Sequence, residues 1–299
     1  MSSPRKLLII ILTLVTNQLL GQVETQFTQY MFNEFAINPA FAGSAESLNL
    51  TGSYRTQWTG VEGAPTTQTF SGHTPLNNEN IGIGLLVLND QVGIHKTLRV
   101  LSAYSYKIKL DRNSYLSLGV QAGLVNKKSE YSSISSSLQN QLDPTFLGGD
   151  YNELIPEFGG GLYFNSKKVF AGLSVPNISA GTFRDNIHGF LYLGGKIGIN
   201  KGVEWQPSLM VKAVENTPIN VDINSNIIFN EVLWLGVSLR SFKSVNFLAQ
   251  VQATPQLRIG YSYDTNPIDL NSINGGAHEI VLNFRFTFFN PRLVTPRHY

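Results

Sequence analysis

The sequence predicts an all-β protein, a transmembrane antiparallel up-and-down β-barrel of about fourteen strands. Three observations favour this fold class. Charged residues make up only 14% of the chain, whereas soluble proteins contain roughly 25%. Segments of alternating apolar and polar residues recur between turns, and many have the length of about ten residues at which a tilted strand crosses a bilayer. The connections also alternate between short and long, as in outer-membrane barrels.

The N-terminus predicts a signal peptide over residues 1–21. Arg5 and Lys6 precede a short apolar run, which ends in polar residues and the small Gly21. This order is typical of a cleaved secretory signal, and the run is too short for a spanning helix. Cleavage removes two of the 22 basic residues and balances the 20 acidic ones, so no nucleic-acid partner is expected. The chain has no cysteine, which excludes lipid attachment or metal binding through a thiol.

The predicted strands are justified by alternation and by the turn residues between them. They lie at 46–57, 66–74, 80–90, 97–110, 114–127, 155–165, 169–175, 188–200, 203–214, 218–229, 232–240, 245–253, 256–264 and 277–288. Long connections follow only odd-numbered strands, at 128–154, 176–187 and 265–276. A secreted β-sandwich also has alternating strands, but it gives no reason for this parity.

One face of each strand is expected to meet lipid, and the other to line a polar lumen. In the last strand, Ile280 and Leu282 alternate with Glu279 and Asn283. Aromatic residues near strand ends are interpreted as interfacial girdles. These are Tyr54, Trp58, Tyr104, Tyr106, Tyr163, Phe164, Trp205, Trp234, Tyr261 and Tyr263. A barrel of about fourteen strands is wide enough to leave a channel or to need a plug.

An N-terminal segment precedes the first strand. The predicted organisation is a signal peptide at 1–21, the N-terminal segment at 22–45, the barrel at 46–289 and a C-terminal periplasmic tail at 290–299. Phe27, Tyr30, Met31 and Phe35 fall at helical spacing, which indicates a short amphipathic turn that plugs the lumen or docks at its periplasmic mouth. An ordered leader packed on the first strand explains the pattern equally well.

Six short stretches carry a resemblance to a known family. They are Gln29-Tyr30-Met31-Phe32, Asn38-Pro39-Ala40-Phe41-Ala42-Gly43-Ser44, Tyr54-Arg55-Thr56-Gln57-Trp58, Gly82-Ile83-Gly84, residues 156–163 and residues 260–264. In this order and spacing they resemble the PorP/SprF family of outer-membrane proteins, which belong to the type IX secretion and gliding systems of Bacteroidetes. The motif residues are Tyr30, Asn38, Pro39, Phe41, Gly43, Tyr54, Arg55 and Trp58.

The resemblance implies a non-enzymatic protein of the outer membrane with both termini in the periplasm. It would bind the C-terminal sorting domain of a secreted adhesin-type cargo and support its export and surface anchoring. Other implied partners are the periplasmic ring components, membrane lipid and lipopolysaccharide, and no cofactor is implied. Loops 59–65, 128–154 and 265–276 are expected to supply the binding surface. Candidate partner-binding residues are Asp143, Phe146, Asp150, Tyr151, Asp269 and Asn271.

Other functions were weighed against this one. The main alternative is a solute-transport or porin-like barrel with a polar lumen. A lipid-modifying barrel enzyme would need a paired histidine, such as His73 with Ser71, or His188 with an acid, and the spacing specifies neither pair. Asp264, Asn266, Asp269 and Asn271 offer oxygen ligands for calcium, but an EF-hand would require a central glycine and a closing glutamate. An Asx-rich turn is therefore expected there.

Overall fold

The computed structural model describes residues 29–45, 47–76, 80–132, 149–180, 186–215, 217–265 and 275–286. Three short 3-10 turns come first, at Tyr30–Phe32, Glu34–Ala36 and Pro39–Phe41. The strands are β1 (Leu48–Thr56), β2 (Thr66–Pro75), β3 (Ile81–Val92), β4 (His95–Lys109), β5 (Ser114–Ser129), β6 (Tyr151–Ser166), β7 (Val169–Ser179), β8 (His188–Gly195), β9 (Ile197–Asn200), β10 (Val203–Val214), β11 (Asn220–Phe229), β12 (Leu233–Arg240), β13 (Ser244–Gln252), β14 (Leu257–Asp264) and β15 (Ala277–Phe286).

These strands form one closed antiparallel barrel. β1 pairs with β2 on one side and with β15 on the other, which closes the ring. β8 and β9 both pair with β10 and are separated only at Lys196, so together they make one strand of the ring. The predicted fourteen-stranded barrel is therefore confirmed. No helix in the described ranges is long and apolar enough to cross a membrane.

Two of the predicted long connections are shorter in the structure, because the strands beside them extend further. The ladder between β5 and β6 continues to the pair Ser129–Tyr151, so the connection after β5 is shorter than the predicted 128–154. β7 continues to Ser179, after a register shift opposite Phe158 and Gly160. Alternation is a weak signal at these ends because the added residues 151–154 and 176–179 mix polar side chains with exposed apolar ones such as Leu154 and Ile178, while backbone pairing continues.

The faces of the strands have the polarity that a membrane barrel needs. Val120 and Leu124 point outward and are 60% and 48% exposed, whereas Asn224, Asn226 and Asn246 are buried in the lumen. Hydrocarbon cannot hydrogen-bond, so polar groups are kept on the inside of a closed ring. The closed ladder also leaves no unpaired strand edge at the lipid face.

Two of the predicted girdle aromatics face the lumen instead. Tyr163 and Trp234 are buried, whereas Tyr104 and Tyr261 point outward and are nearly half exposed. The reason is strand register: outward-facing Leu233 and Leu235 flank Trp234, and successive side chains of a strand point to opposite faces. Proximity to a strand end therefore does not decide which face an aromatic residue occupies.

The connections define two ends of the barrel, named here by their length. The long-loop end carries the connections 57–65, 130–150, 180–187 and 265–276. The tight-turn end carries 110–113, 167–168, 201–202, 230–232 and 253–256, and the first strand begins there. The predicted parity of the connections thus corresponds to two distinct ends of the molecule.

Candidate functional site

Residues 29–45, called here the luminal segment, lie inside the ring of strands. Its polar groups hydrogen-bond to strands on opposite sides of the barrel. On one side the Gln29 amide donates to Glu279 O, at 3.3 Å, and accepts from the Gln250 amide, at 2.8 Å. On the other side the Ser174 hydroxyl donates to Ile37 O at 2.7 Å. The luminal segment therefore spans the lumen from one wall to the other.

The luminal segment folds as three 3-10 turns rather than one amphipathic helix. Asn38 begins the last turn, because its Oδ1 accepts a hydrogen bond from the Ala40 N–H at 2.9 Å. Pro39 follows at the first position of the turn, where a proline has no N–H to leave unsatisfied. The Asn38 amide also donates to Leu162 O at 2.9 Å and to the Tyr192 hydroxyl at 3.3 Å. One side chain therefore shapes the segment and attaches it to β6 and β8.

Apolar side chains of the luminal segment pack into two clusters with the inner wall. Tyr30, Met31, Ile37 and Ala40 form one cluster with side chains of strands β6, β7, β8, β10 and β13. The second cluster joins Phe35, Ala36 and Ala42 to Leu86, Leu101 and Ala103 on β3 and β4. Tyr30 and Met31 also contact the side-chain amides of Asn224 and Asn226. The hydrophobic core of this barrel is thus built around its N-terminal segment.

Glycines on the strands make room for this packing. A Cβ on Gly84 would lie 2.3 Å from the Phe35 ring, and a Cβ on Gly161 would lie 2.1 Å from the Asn38 carboxamide oxygen. A Cβ on Gly82 would lie 2.2 Å from Ala42 O. The glycines at 82, 84 and 161 belong to the stretches that resemble the family. A glycine in a strand often opens space for a close neighbour, and this is its role at these three positions.

His73 and Ser71 contact the luminal segment, not each other. His73 Nδ1 accepts a hydrogen bond from the Gly43 N–H at 3.2 Å, and the Ser71 hydroxyl donates to Asn33 Oδ1 at 3.0 Å. The Phe41 ring packs edge-on against His73 at 5.5 Å between centroids. The two residues considered as a catalytic pair therefore hold the segment in place.

Glu34 is a buried carboxylate of the luminal segment. The hydroxyl groups of Tyr163 and Tyr192 hydrogen-bond to its side chain, and Lys196 is the nearby positive charge. Its Oε2 has no partner among the described residues. Tyrosine side chains are suited to this position because the apolar ring packs in the core and the hydroxyl donates a hydrogen bond to the carboxylate.

A network of buried ion pairs lies near the long-loop end of the lumen. Arg55 forms ion pairs with Asp264 at 2.7 Å and with Glu279 at 3.3 Å. Arg240 pairs with Asp222 and with Asp264, at 3.3 Å each. Strands β1, β11, β12, β14 and β15 are thereby joined through charged side chains. The pairing is needed because an isolated charge in such a site is costly.

Asp264 does not belong to a calcium loop in the described structure. It is the last residue of β14, and its carboxylate is engaged by Arg55 and Arg240. The other residues of that interpretation, Asn266, Asp269 and Asn271, lie outside the described residues. Within the described ranges, no cluster of side chains has the composition of a metal site.

The motif residues Tyr54 and Trp58 and two of the six candidate partner-binding residues, Asp150 and Tyr151, lie at the rim of the barrel or on its outer face. Tyr54 points outward from β1, and Trp58 is partly exposed in the connection to β2. Asp150 accepts hydrogen bonds from the backbone N–H and the hydroxyl of Ser132, at 3.0 Å each. These bonds hold the pKa of the exposed Asp150 carboxyl below its usual value. The Tyr151 hydroxyl bonds to Glu153, whereas Asp143, Phe146, Asp269 and Asn271 lie outside the described residues.

Residues 20–284 match the family described as type IX secretion system membrane protein PorP/SprF. The chain belongs to the PorP/SprF family. The resemblance seen in the six sequence stretches is thereby confirmed, and the chain is an outer-membrane β-barrel of a type IX secretion family. No curated protein matches it.

Two solved barrels are similar to this PorP/SprF protein at very low sequence identity. The CymD monoaromatic hydrocarbon channel aligns with a TM-score of 0.53 and 10% identity, over 90% of this chain and 95% of the channel. Omp33 of Acinetobacter baumannii aligns with a TM-score of 0.48 and 10% identity, over 81% of this chain and 98% of Omp33. The likeness to CymD shows a common barrel architecture alone.

Sequence reasoning missed the partners of Arg55. The sequence placed Glu279 on the polar face of the last strand and offered Asp264 as a calcium ligand, but it did not predict that these acids meet Arg55. The available signal was the low charge of the chain: the few acids and bases at inward-facing positions need partners across the lumen. Which acid meets which base depends on strand order around the ring and on register.

Proposed function

We propose that this PorP/SprF barrel binds a type IX secretion cargo through the cargo's C-terminal sorting domain. Binding takes place at the long-loop end, which faces the cell exterior, and it supports export and surface anchoring of an adhesin-type cargo. The tight-turn end and both termini face the periplasm, where the ring components of the secretion system make contact. The role is non-enzymatic, and membrane lipid and lipopolysaccharide surround the barrel. Gliding motility in Bacteroidetes is the physiological setting that we infer.

The observation that carries the proposal is the occupied lumen. The luminal segment is bonded to opposite walls and fills the core, so it acts as a plug and the barrel offers a surface, not an open passage. A rigid, filled barrel with long loops at one end is well suited to recognition, because the loops are positioned by a scaffold that does not deform.

Contacts near the rim support the long-loop end of the barrel as the binding surface. Arg55, Asp222, Asp264 and Glu279 tie together the strands from which the connections 57–65 and 265–276 emerge. Asp150 joins the two ends of the connection after β5 through Ser132. These contacts fix the bases of the loops. Less conformational entropy is therefore lost when a partner binds to them.

The test is affinity purification from detergent-solubilised outer membranes with a tagged barrel. The expected result is co-purification of a secreted protein that carries the type IX C-terminal domain. A variant in which residues 133–148 are replaced by a short Gly-Ser linker should lose this partner while it still shows heat-modifiable migration. Asp111→Ala, on a tight turn at the opposite end, is the control and should retain it. Full surface retention of all cargo in a strain without the barrel would overturn the proposal.

The solute-transport alternative has a polar lumen and a channel of similar fold in its favour. In planar bilayers the two functions differ directly. If the barrel is a plugged receptor, the wild-type protein should conduct little until the luminal segment is displaced. If it is a transport barrel, the wild-type protein should itself conduct. Steady conductance of wild-type protein, saturated by a specific solute, would favour transport.

A further inference from the structure

A polar cavity of about 160 Å³ lies at the tight-turn end, between the luminal segment and the ends of β1, β2, β14 and β15. A volume of this size holds about five water molecules at their share of liquid volume. Its lining includes Arg258, Arg285, His73, Asn49 and Asn283, and none of the described lining residues is a carboxylate. The cavity is therefore polar, basic and large enough for a small hydrated anion.

The two arginines of this cavity differ from the other lumen-facing arginines in the described structure. Arg55, Arg99 and Arg240 each form an ion pair with a buried carboxylate. Arg258 and Arg285 take part in no ion pair among the described residues, although both line the cavity and the positive charge of Arg285 acts on Arg258. Two neighbouring guanidinium groups without a counter-ion repel each other, and this repulsion is relieved by a bound anion.

Neutral contacts hold both guanidinium groups at the cavity. Arg258 donates from Nε to Gln252 Oε1 at 3.0 Å, and its guanidinium carbon lies 4.0 Å above the centre of the Trp234 ring. Arg285 donates from Nε to Asn49 Oδ1 at 3.5 Å. Because only the Nε atoms are used in these bonds, the terminal N–H groups remain as donors.

Three further residues bear on the polarity and charge of the cavity. His73 adds a donor, because its Nδ1 accepts from Gly43 and the ring proton is therefore on Nε2. Glu231, on the turn before β12, attracts Arg258 electrostatically but forms no ion pair with it in the described structure. Glu46 follows the lining residue Ala45 in the chain and lies outside the described residues. The tests below therefore include Glu46.

We propose that this cavity is an oxyanion site, which binds a phosphate or carboxylate group that enters from the tight-turn end. Guanidinium groups present parallel N–H donors that match the oxygens of both anions, and charge-assisted bonds of this kind are the strong ones. Arg258 is partly exposed and Arg285 is exposed at this end. An anion therefore reaches them without passing the luminal segment.

Trp234 provides a direct readout, because it lies against Arg258. In purified full-length protein that carries Trp58→Phe and Trp205→Phe, the fluorescence of Trp234 is followed during titration with inorganic phosphate. Acetate is titrated in parallel, and sodium chloride keeps the ionic strength constant. We expect a saturable change with one of the two oxyanions and none with chloride alone. The anion that binds more tightly identifies the class of ligand.

Variants separate the site from a general charge effect. Arg285→Gln should weaken the binding at least tenfold, and Arg112→Gln, on an exposed turn at the same end, should leave it unchanged. Arg258→Lys is the second variant, chosen because it keeps the charge if Arg285→Gln prevents folding, and it should weaken the binding by removing the guanidinium fork. No saturable response in wild type, an equal response in Arg285→Gln, or a response that exists only in Glu46→Gln would each overturn the proposal.

Discussion

The backbone of Ala40 crosses the inner wall directly over Gly119 of β5. A Cβ placed on Gly119 would lie 2.1 Å from the Ala40 nitrogen, which is far inside van der Waals contact. The luminal segment and the barrel wall are therefore fitted to each other at the level of the backbone, where no side-chain rotation relieves a clash. This contact leads to the first prediction.

Gly119→Val should displace the luminal segment from β5. The added side chain overpacks the contact, and the expected loss of stability is about 1–3 kcal/mol. The midpoint of heat-modifiable migration in detergent measures the loss, and planar bilayers should show conductance that the wild type lacks. Gly52→Val is the matched control, because a Cβ on this strand glycine meets nothing within 4 Å. Equal behaviour of the two variants would contradict the close fit.

Asn38→Ala should detach the last turn of the luminal segment from β6 and β8. The substitution removes the bonds to Leu162 O, to the Tyr192 hydroxyl and from the Ala40 N–H. Buried groups left without partners cost about 1–3 kcal/mol, which denaturant unfolding in detergent can measure. Asn126→Ala removes an exposed amide that bonds to Asn152 at 2.9 Å, and it should change the unfolding midpoint little. A larger effect at Asn126 would refute the assignment.

Arg55→Met should be the most destabilising of these changes. It removes the buried ion pairs of Arg55 with Asp264 and with Glu279, and breaking a buried pair costs about 3–5 kcal/mol. Adding Glu279→Gln to Arg55→Met should recover part of this loss, because the unpaired charge is then absent. The comparison is Lys96→Met, which breaks a half-exposed pair with Glu130 and should have no measurable effect. Failure of the second substitution to rescue would show that packing, not charge, sets the cost.

Asp150→Ala should weaken cargo capture without unfolding the barrel. Its bonds to Ser132 join the two ends of the connection after β5, and their loss leaves a partner with a less ordered surface to bind. Because these bonds lower the pKa of Asp150, their contribution is present above the ordinary pKa of an aspartate. It is lost only as the pH falls through the lowered value.

Asp111→Ala is the control for this prediction, because Asp111 caps a tight turn through the Asn113 N–H at 2.6 Å and lies at the other end. Pull-down of the C-terminal cargo domain, measured at neutral pH for both variants, is the readout. Equal capture by the two variants would remove Asp150 from the binding surface.

The sequence alone determined the barrel, its strand number and its two unlike ends. Alternation with period two follows from the geometry of a strand, and a face that meets lipid must be apolar along its whole length, as at Ile280 and Leu282. The parity of connection lengths is also a property of the chain order. Each of these features follows from short stretches of sequence taken in order. They can therefore be predicted without knowing which side chains meet across the lumen.

The tertiary structure decided what the lumen contains. It placed Asn38 against β6 and β8, turned Tyr163 and Trp234 inward, and joined Arg55 to Asp264 and Glu279 across more than 200 residues of chain. Each of these contacts depends on the closure of the ring and on the register of the strands. A register shift of one residue would move every side chain of a strand to the other face. The polar cavity at the tight-turn end also depends on tertiary structure. Arg258 and Arg285 line it together because β14 pairs with β15 next to the luminal segment.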